Sequence, residues 1–333
     1  MTVTYFKIAH RDLSSPWDVS RIATNIQWTT DIDFAAGELK FTLLEVNEGF
    51  FPHNGDAVSF QWDGNKTFFG YIFSYSYKSD ETIEITAYDR LRYLKNQDTI
   101  LWPVGTALQR FNAVMGRIGA PHQNLSNNAI KLPAEVADGK TYFDMLKSAF
   151  DSTYSRSGHR YIIRDNYGMV QLLRVVGSGN VNFPSKTNLV LGDNSLLTDF
   201  TFEKSIDELY NVVKLIKETE NKQKRTVYTT KTAASTSSRK KFGTLQIVEK
   251  ADEKLNASQM QAKANQFLRQ YNKEKMTLSL NAIGNNSLRA GSRFYISIQS
   301  LRDIGIGTRE VLATKVTHDF SDNWTMSLDV EIL

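Results

Sequence analysis

The sequence predicts an α+β chain that is mainly β, with β-rich parts at both ends and a small α+β module between them. Three observations carry this: short alternating runs over the first ninety residues, an abrupt change of period at residue 89, and the return of alternating runs after residue 192. Alternation marks strands with one buried face, whereas apolar residues three and four apart mark helices.

Residues 1–94 hold the runs RIATNIQW, ELKFTLLEV, DAVSFQW, TFFGYIFSYSY and ETIEITAY. Turn signals at Asp63-Gly64-Asn65 and Lys78-Ser79-Asp80-Glu81 divide them, and short strands at this spacing suggest an antiparallel barrel or sandwich. Phe73, Tyr75 and Tyr77 share one strand face, as do Ile83, Ile85 and Ala87 on the next. Such faces fill a small barrel or meet a neighbouring one. At Asp89 the period changes, and its carboxylate can cap the short helix RLRYL.

Residues 95–190 read as an α+β insertion. Pro103 opens a helix with Leu108, Phe111, Met115 and Ile118 on one face, and a second helix runs from about Thr141 to Tyr154. HRYIIRDNYGMVQLLRVV then reads as a β-hairpin turning at Asp165-Asn166-Tyr167-Gly168. Residues 191–333 return to strands: LLTDFTFEKS, YNVVKLIKET, KRTVYTTKT, KMTLSLNAI, SRFYISIQ, REVLATKVTHDF and NWTMSLDVEIL. Within this part a polar basic loop is expected around 220–241 and a helix at 254–272, with Met260, Ala264, Phe267, Leu268 and Tyr271 at helical spacing.

The closing strands repeat the opening ones. Leu39, Phe41 and Leu43, then Gly55-Asp56, two strands, a Ser79-Asp80 turn and a final strand match Met276, Leu278 and Leu280, then Gly291-Ser292, two strands, a Ser321-Asp322 turn and a final strand. The matched positions lie about 236–242 residues apart, as two copies of one barrel would.

Composition excludes several chemistries. There is no cysteine, so no disulfide, thiolate catalysis or Cys-ligated zinc is expected. His10, His53, His122, His159 and His318 are scattered without ligand spacing, and neither a P-loop nor a GxSxG or GxGxxG signature is present. No metal or cofactor is expected. No apolar run approaches the length of a membrane span, and MTVTYFKIAHRDLSS is unlike a signal peptide, so synthesis in a cytoplasm without membrane partners is the expectation. The carboxylate pairs Asp31/Asp33 and Asp329/Glu331 lie on strand faces, where solvated edges explain them better than glycosidase-type catalysis.

The one charge anomaly is 214–250, with ten Lys or Arg against three Glu, a net of +7 in a chain of net +4. Lys222, Lys224, Arg225, Arg239, Lys240 and Lys241 form a candidate strip facing an acidic partner or phosphates. Aromatic residues are not interleaved with them, which argues against a stacking platform for single strands.

Several stretches resemble the baseplate hub proteins of contractile-tailed phages, in the branch found in PBSX-type prophages and phage-tail-like bacteriocins (R-type, diffocin-like). These are Ile85-Thr86-Ala87-Tyr88-Asp89-Arg90-Leu91-Arg92-Tyr93-Leu94-Lys95-Asn96, with Asp98-Thr99 beyond it. The others are Leu209-Tyr210-Asn211-Val212-Val213, Phe242-Gly243-Thr244-Leu245-Gln246, the helix 261–271, and the turn Arg289-Ala290-Gly291-Ser292. The resemblance implies two related antiparallel β-barrel tube domains with an α/β insertion. It also implies a homotrimer whose six barrels form a pseudo-sixfold ring joining the inner tail tube to the central spike. It brings no catalytic residue. The implied partners are the chain itself, a tail tube or tube-initiator protein, the central spike and other baseplate proteins, with nucleic acid only if DNA passes the lumen. The implied location is the tail baseplate of a virion or phage-tail-like particle. Two other roles compete: a peptidoglycan hydrolase of the tail using Asp/Glu, and a monomeric β-barrel module binding carbohydrate or nucleic acid.

Overall fold

Alternating burial organises the first part of the computed structural model, which describes residues 2–44, 51–177, 183–220, 226–251 and 255–333. The long strands are β1 (Val3–Ala9), β2 (Ala23–Asp31), β3 (Glu38–Leu43), β4 (Ala57–Trp62), β5 (Asn65–Tyr77) and β6 (Ile83–Tyr88). They hydrogen-bond antiparallel in the order β2–β3–β6–β5–β4–β1. Phe6 of β1 meets Phe41 of β3 with ring centroids 4.7 Å apart, although three strands separate β1 from β3 in the sheet. Only a sheet that rolls on itself brings those strands face to face, so this part is a barrel rather than an open layer. Its interior holds Phe6, Ile26, Leu39, Phe41, Phe60 and Ile85, among others.

The inner face of β5 is Phe68 and Ile72, not the aromatic alternation that follows. Tyr75 and Tyr77 are exposed and Phe73 is half-buried, because a register shift after Ile72 turns the end of β5 outward. They therefore do not fill the barrel, and Phe51 packs edge-on to Tyr75 at 5.6 Å on the outside.

The insertion starts from a two-turn 3-10 helix at Arg90–Lys95. It comprises β7 (Gln97–Trp102), α1 (Ala107–Arg117), β8 (Glu135–Thr141), α2 (Tyr142–Ser157), β9 (Arg160–Asn166) and β10 (Met169–Val176). Thr106 and Gln109 form a reciprocal capping box for α1, so that helix begins four residues beyond Pro103. Thr141 caps α2, and Gly158 ends it with φ 68°, a left-handed turn that glycine adopts without strain. Phe111, Met115, Leu146 and Phe150 pack with Tyr161, Ile163 and Leu172 of the β9–β10 hairpin into one core.

The remaining elements are β11 (Lys186–Gly192), β12 (Leu197–Ser205), β13 (Val212–Glu220), β14 (Thr226–Ala234), α3 (Thr236–Phe242), β15 (Gln246–Lys250), α4 (Ala257–Tyr271), β16 (Lys275–Ile283), β17 (Arg293–Ser297), a short helix α5 (Gln299–Asp303), β18 (Arg309–Phe320) and β19 (Thr325–Ile332). The second set pairs in the order β12–β16–β19–β18–β17–β11, the order of the first set strand for strand. One difference is that β11 joins β17 parallel, where β1 joins β4 antiparallel. Ladder positions agree too: Leu39, Phe41 and Leu43 oppose Ala87, Ile85 and Ile83, as Leu278, Leu280 and Ala282 oppose Val330, Leu328 and Met326. Met276, placed in the repeat by sequence, is exposed, so the match begins one alternation later. The two sets are joined by β18, which pairs with β2 through Lys315–Phe320. The fold is thus α+β and mainly β, two related antiparallel barrels with an α/β insertion.

The chain divides into two compact units, 1–201 with 278–333, and 202–277. The second unit has a sheet of its own, β14–β13–β15, on which α4 buries Met260 and Ala264 against Leu215 and Ala233. Of the polar basic loop expected around 220–241, residues 221–225 lie outside the described residues and the rest is instead β14 followed by α3. TVYTTKT is polar but rich in β-branched residues, which favour strands. Ser235 then caps α3 by accepting from the Ser238 N–H, and Gly243 ends it with φ 79°.

Two substitutions test the first barrel. A Cβ on Gly70 would stand 2.2 Å from the Tyr88 carbonyl oxygen on the neighbouring strand, so Gly70→Ala is expected to lower the melting temperature by separating β5 from β6. Phe6→Ala empties the centre of the roll and is expected to cost about 3–5 kcal/mol in chemical denaturation.

Candidate assembly site

The junction of barrel, insertion and repeat is built on Asp89. Its Oδ1 accepts from the Leu91 N–H and its Oδ2 from the Gly37 N–H, both at 2.9 Å, while its own N–H donates to the Gly37 carbonyl at 2.9 Å. One side chain thus caps the first turn of the insertion and ties it to the β2–β3 connection. Gly37 is required for this, since a Cβ there would lie 2.4 Å from Asp89 Oδ2.

A second carboxyl, Asp165 near the end of β9, faces the same region. Its Oδ1 accepts from the Gly168 N–H at 2.6 Å, and its Oδ2 is buried without a partner. Burial pushes the Asp165 carboxyl up to about 6, against the opposing pull of the Gly168 N–H and of Arg90 and Arg289. Burial, and then repulsion from Asp165, holds Asp89 well above the usual carboxylate range. Arg289 donates to the Asp165 carbonyl at 3.3 Å and to Asn166 Oδ1 at 2.9 Å. The next residue, Ala290, donates its N–H to Thr30 Oγ1 at 2.9 Å, and Gly291, with φ 84°, leaves no room for a Cβ against Ile162. The Arg289–Ser292 turn of the second barrel therefore grips both the insertion hairpin and β2. A further clamp lies nearby. Arg293 holds Glu310 through two bonds of 2.9 and 2.8 Å, donates to the Val175 carbonyl at 2.8 Å and stacks on Phe183 at 3.8 Å.

In the second compact unit one buried side chain plays the same part. Asn211 donates to the Gly243 carbonyl at 2.7 Å and accepts from the Leu245 N–H at 3.0 Å. The segments Leu209–Val213 and Phe242–Gln246 are thereby locked to each other. Sequence resemblance singles out both segments, Asn211 among them, but not the bonds by which it joins them.

Of the basic candidates, Lys222, Lys224 and Arg225 lie outside the described residues. Arg239, Lys240 and Lys241 form the last turn of α3, all exposed, where cations favour a helix C-terminus. Arg239 Nε donates to Thr244 Oγ1 at 3.3 Å. Lys241 shares Glu274 with Lys204, each at 2.8 Å, and also lies over the Phe242 ring. Lys240 has no partner among the described residues, so the strip offers Arg239 and Lys240 more readily than Lys241.

The acidic candidates are engaged structurally. Asp31 accepts from the Asp33 N–H at 2.8 Å and Asp33 pairs with Lys147 at 3.2 Å, while Asp329 accepts from Ser279 at 2.7 Å and Glu331 binds Arg160 at 2.6 Å. His10 and His53 both turn toward Asp56, but no group of ligating side chains among the described residues could hold a metal ion. His318 is buried, stacked on Trp28, with its Nε2 at 2.8 Å from the Leu288 carbonyl, and burial pushes its pKa down to about 4. No helix among the described residues is long and apolar enough to cross a membrane.

The junction predicts an unusual pH response. A carboxyl raised in the folded state favours folding below its unfolded value of 3.8, and this contribution disappears as pH rises through about 6. Asp165→Asn is therefore expected to match the wild-type melting temperature near pH 4 and to exceed it above pH 6, in paired thermal melts. Gly37→Ala, which displaces the Asp89 cap, is expected to be destabilising at every pH.

A family model described as YQBQ-like matches residues 26–331. The chain is 29% identical over 285 residues to the uncharacterized protein YqbQ of Bacillus subtilis, covering 83% of this chain and 81% of that protein. It is 26% identical over 281 residues to the phage-like element PBSX protein XkdQ of the same organism, again covering 83% and 81%. Among solved structures it superposes on the 43 kDa tail protein of prophage MuSo2 from Shewanella oneidensis with a TM-score of 0.71, at 11% identity and over 98% and 97% of the two chains. At that identity the structural likeness speaks for the fold, and the XkdQ match agrees with the resemblance to PBSX-type proteins. With its matched region spanning both barrels and the insertion, the chain belongs to the YQBQ-like family.

Proposed function

We propose that this chain is a structural component of a phage-type tail and, within it, the baseplate hub: a homotrimer joining the inner tube to the central spike. The observation that carries the reading is the repeated strand order, β2–β3–β6–β5–β4–β1 and β12–β16–β19–β18–β17–β11 in one chain. A threefold ring of such chains presents six similar barrels, so a threefold spike can meet a sixfold tube without a separate adaptor. Closing a ring also pairs or covers strand edges that would otherwise invite aggregation. In this assembly 1–94 supply the first barrel and 95–190 the module between the barrels, apart from β11, which begins at Lys186 and belongs to the second barrel. Residues 191–333 supply the rest of that barrel, with the unit 202–277 set into it. The particle is a virion or a phage-tail-like bacteriocin, assembled from chains made in the bacterial cytoplasm.

The role proposed is non-catalytic. The two carboxyls with raised pKa values, Asp89 and Asp165, are the pair a hydrolase reading would favour, but both oxygens of Asp89 hold backbone N–H groups, and of Asp165 one oxygen holds the Gly168 N–H and the other is buried. Zymography on peptidoglycan is expected to show no clearing; clearing abolished by Asp165→Asn would establish the hydrolase instead.

Two measurements test the assembly. Native mass spectrometry of the purified chain is expected to give a species of three times its 37.8 kDa mass, and a chain that stays monomeric at high concentration contradicts the hub. Arg239 and Lys240, the open end of the basic strip, would face an acidic partner. Reversing Arg239 and Lys240 to Glu is expected to block particle assembly while leaving the melting temperature of the isolated chain nearly unchanged, and normal particle yield would rule that surface out.

A further inference from the structure

A polar cleft of about 340 Å³ opens in the first compact unit, where the start of β5, the β9–β10 turn, the approach to β11 and the loop before β17 meet. Its charged lining is Lys66, Arg164, Lys186 and Arg289, and no carboxylate among the described residues lines it. Lys186 is balanced by Glu310, 3.2 Å away. Lys66 and Arg164 have no ion-pair partner among the described residues, and Arg289 has only the longer-range attraction of the Asp165 carboxyl. Arg164 donates from Nε to the neutral Gln171 Oε1 at 3.3 Å, and Arg289 uses its nitrogens on the Asp165 carbonyl and the Asn166 amide. The Lys66 ammonium rests 5.3 Å from the Tyr167 ring centroid.

Such an arrangement is costly without an anion, because guanidinium groups drawn out of water need a counter-charge. The strain shows in Arg164, whose pKa is pushed down to about 9 by burial and by repulsion from Arg289. One lining hydroxyl, that of Ser185, is buried with no hydrogen-bond partner. Two planar guanidinium forks, an ammonium and a spare hydroxyl donor match the several acceptor oxygens of a tetrahedral dianion better than the two of a carboxylate.

We propose that this cleft binds a phosphate group, held by Arg164 and Lys66 with Arg289 and Ser185 completing the donor set. Occupancy would fix the start of β5, the insertion hairpin and the second barrel's turn around one anion.

Isothermal titration of the full chain with inorganic phosphate, against chloride at matched ionic strength, tests the site. Saturable binding is expected, about tenfold or more weaker in Arg164→Gln and in Lys66→Gln, each losing one charge-assisted contact. Lys66 is exposed at the cleft rim, so that variant keeps its fold if Arg164→Gln does not. Glycerol 3-phosphate in a parallel titration distinguishes the source: tighter binding than inorganic phosphate assigns an esterified group, weaker binding the free ion. Heat no greater than with chloride, undiminished binding in the Lys66 variant, or glutarate binding more tightly than phosphate would each overturn the proposal.

Discussion

The Asp89 carboxylate stands where three parts of the chain must agree. It receives the N–H of Gly37 from the first barrel and the N–H of Leu91 from the insertion. Across the same region Arg289 reaches from the second barrel to the insertion turn at Asp165 and Asn166. Each bond is individually modest, worth on the order of 1 kcal/mol net for a neutral pair and more where a charge takes part. Their value lies in geometry. A buried carboxyl with both oxygens committed tolerates no sliding of the first barrel against the insertion, because movement would strand a polar group away from water.

That rigidity would suit the proposed hub, which has to hold two symmetries together. The two barrels share strand order and ladder register, yet their outermost strands differ in direction, β1 antiparallel and β11 parallel. The inserted elements differ as well. The first barrel is followed by α1, α2 and the β9–β10 hairpin, whereas the second strand set is interrupted by a separate unit of β13, β14, β15 and α4. Two similar walls with dissimilar decorations would let a threefold ring look sixfold to a tube and threefold to a spike.

Much of the wall was legible in the sequence because barrel strands write their burial as alternation. Leu39, Phe41 and Leu43, or Leu278 and Leu280, announce an inner face without help from anything distant. The Asp89 cap was legible too, since a short acidic side chain before RLRYL has a local partner. Two features misled. Tyr75 and Tyr77 keep the alternation but lie beyond a register shift, and a shift in pairing has no signature in a single strand. The stretch after TVYTTKT looked like a loop because AASTSSRKK is small and polar, yet Ser235 caps it into α3. The rest of the site was not legible at all. Asp165, Arg289 and Thr30 are far apart in sequence, and the Asn211 lock needs Gly243 and Leu245 folded back onto it.

The claim on which this account turns is that one chain supplies two equivalent walls of a ring. Electron microscopy of the isolated protein tests it most directly. Class averages viewed along the axis should show a closed ring of six similar lobes with threefold symmetry. Three lobes, an open arc, or single particles without a ring would contradict it.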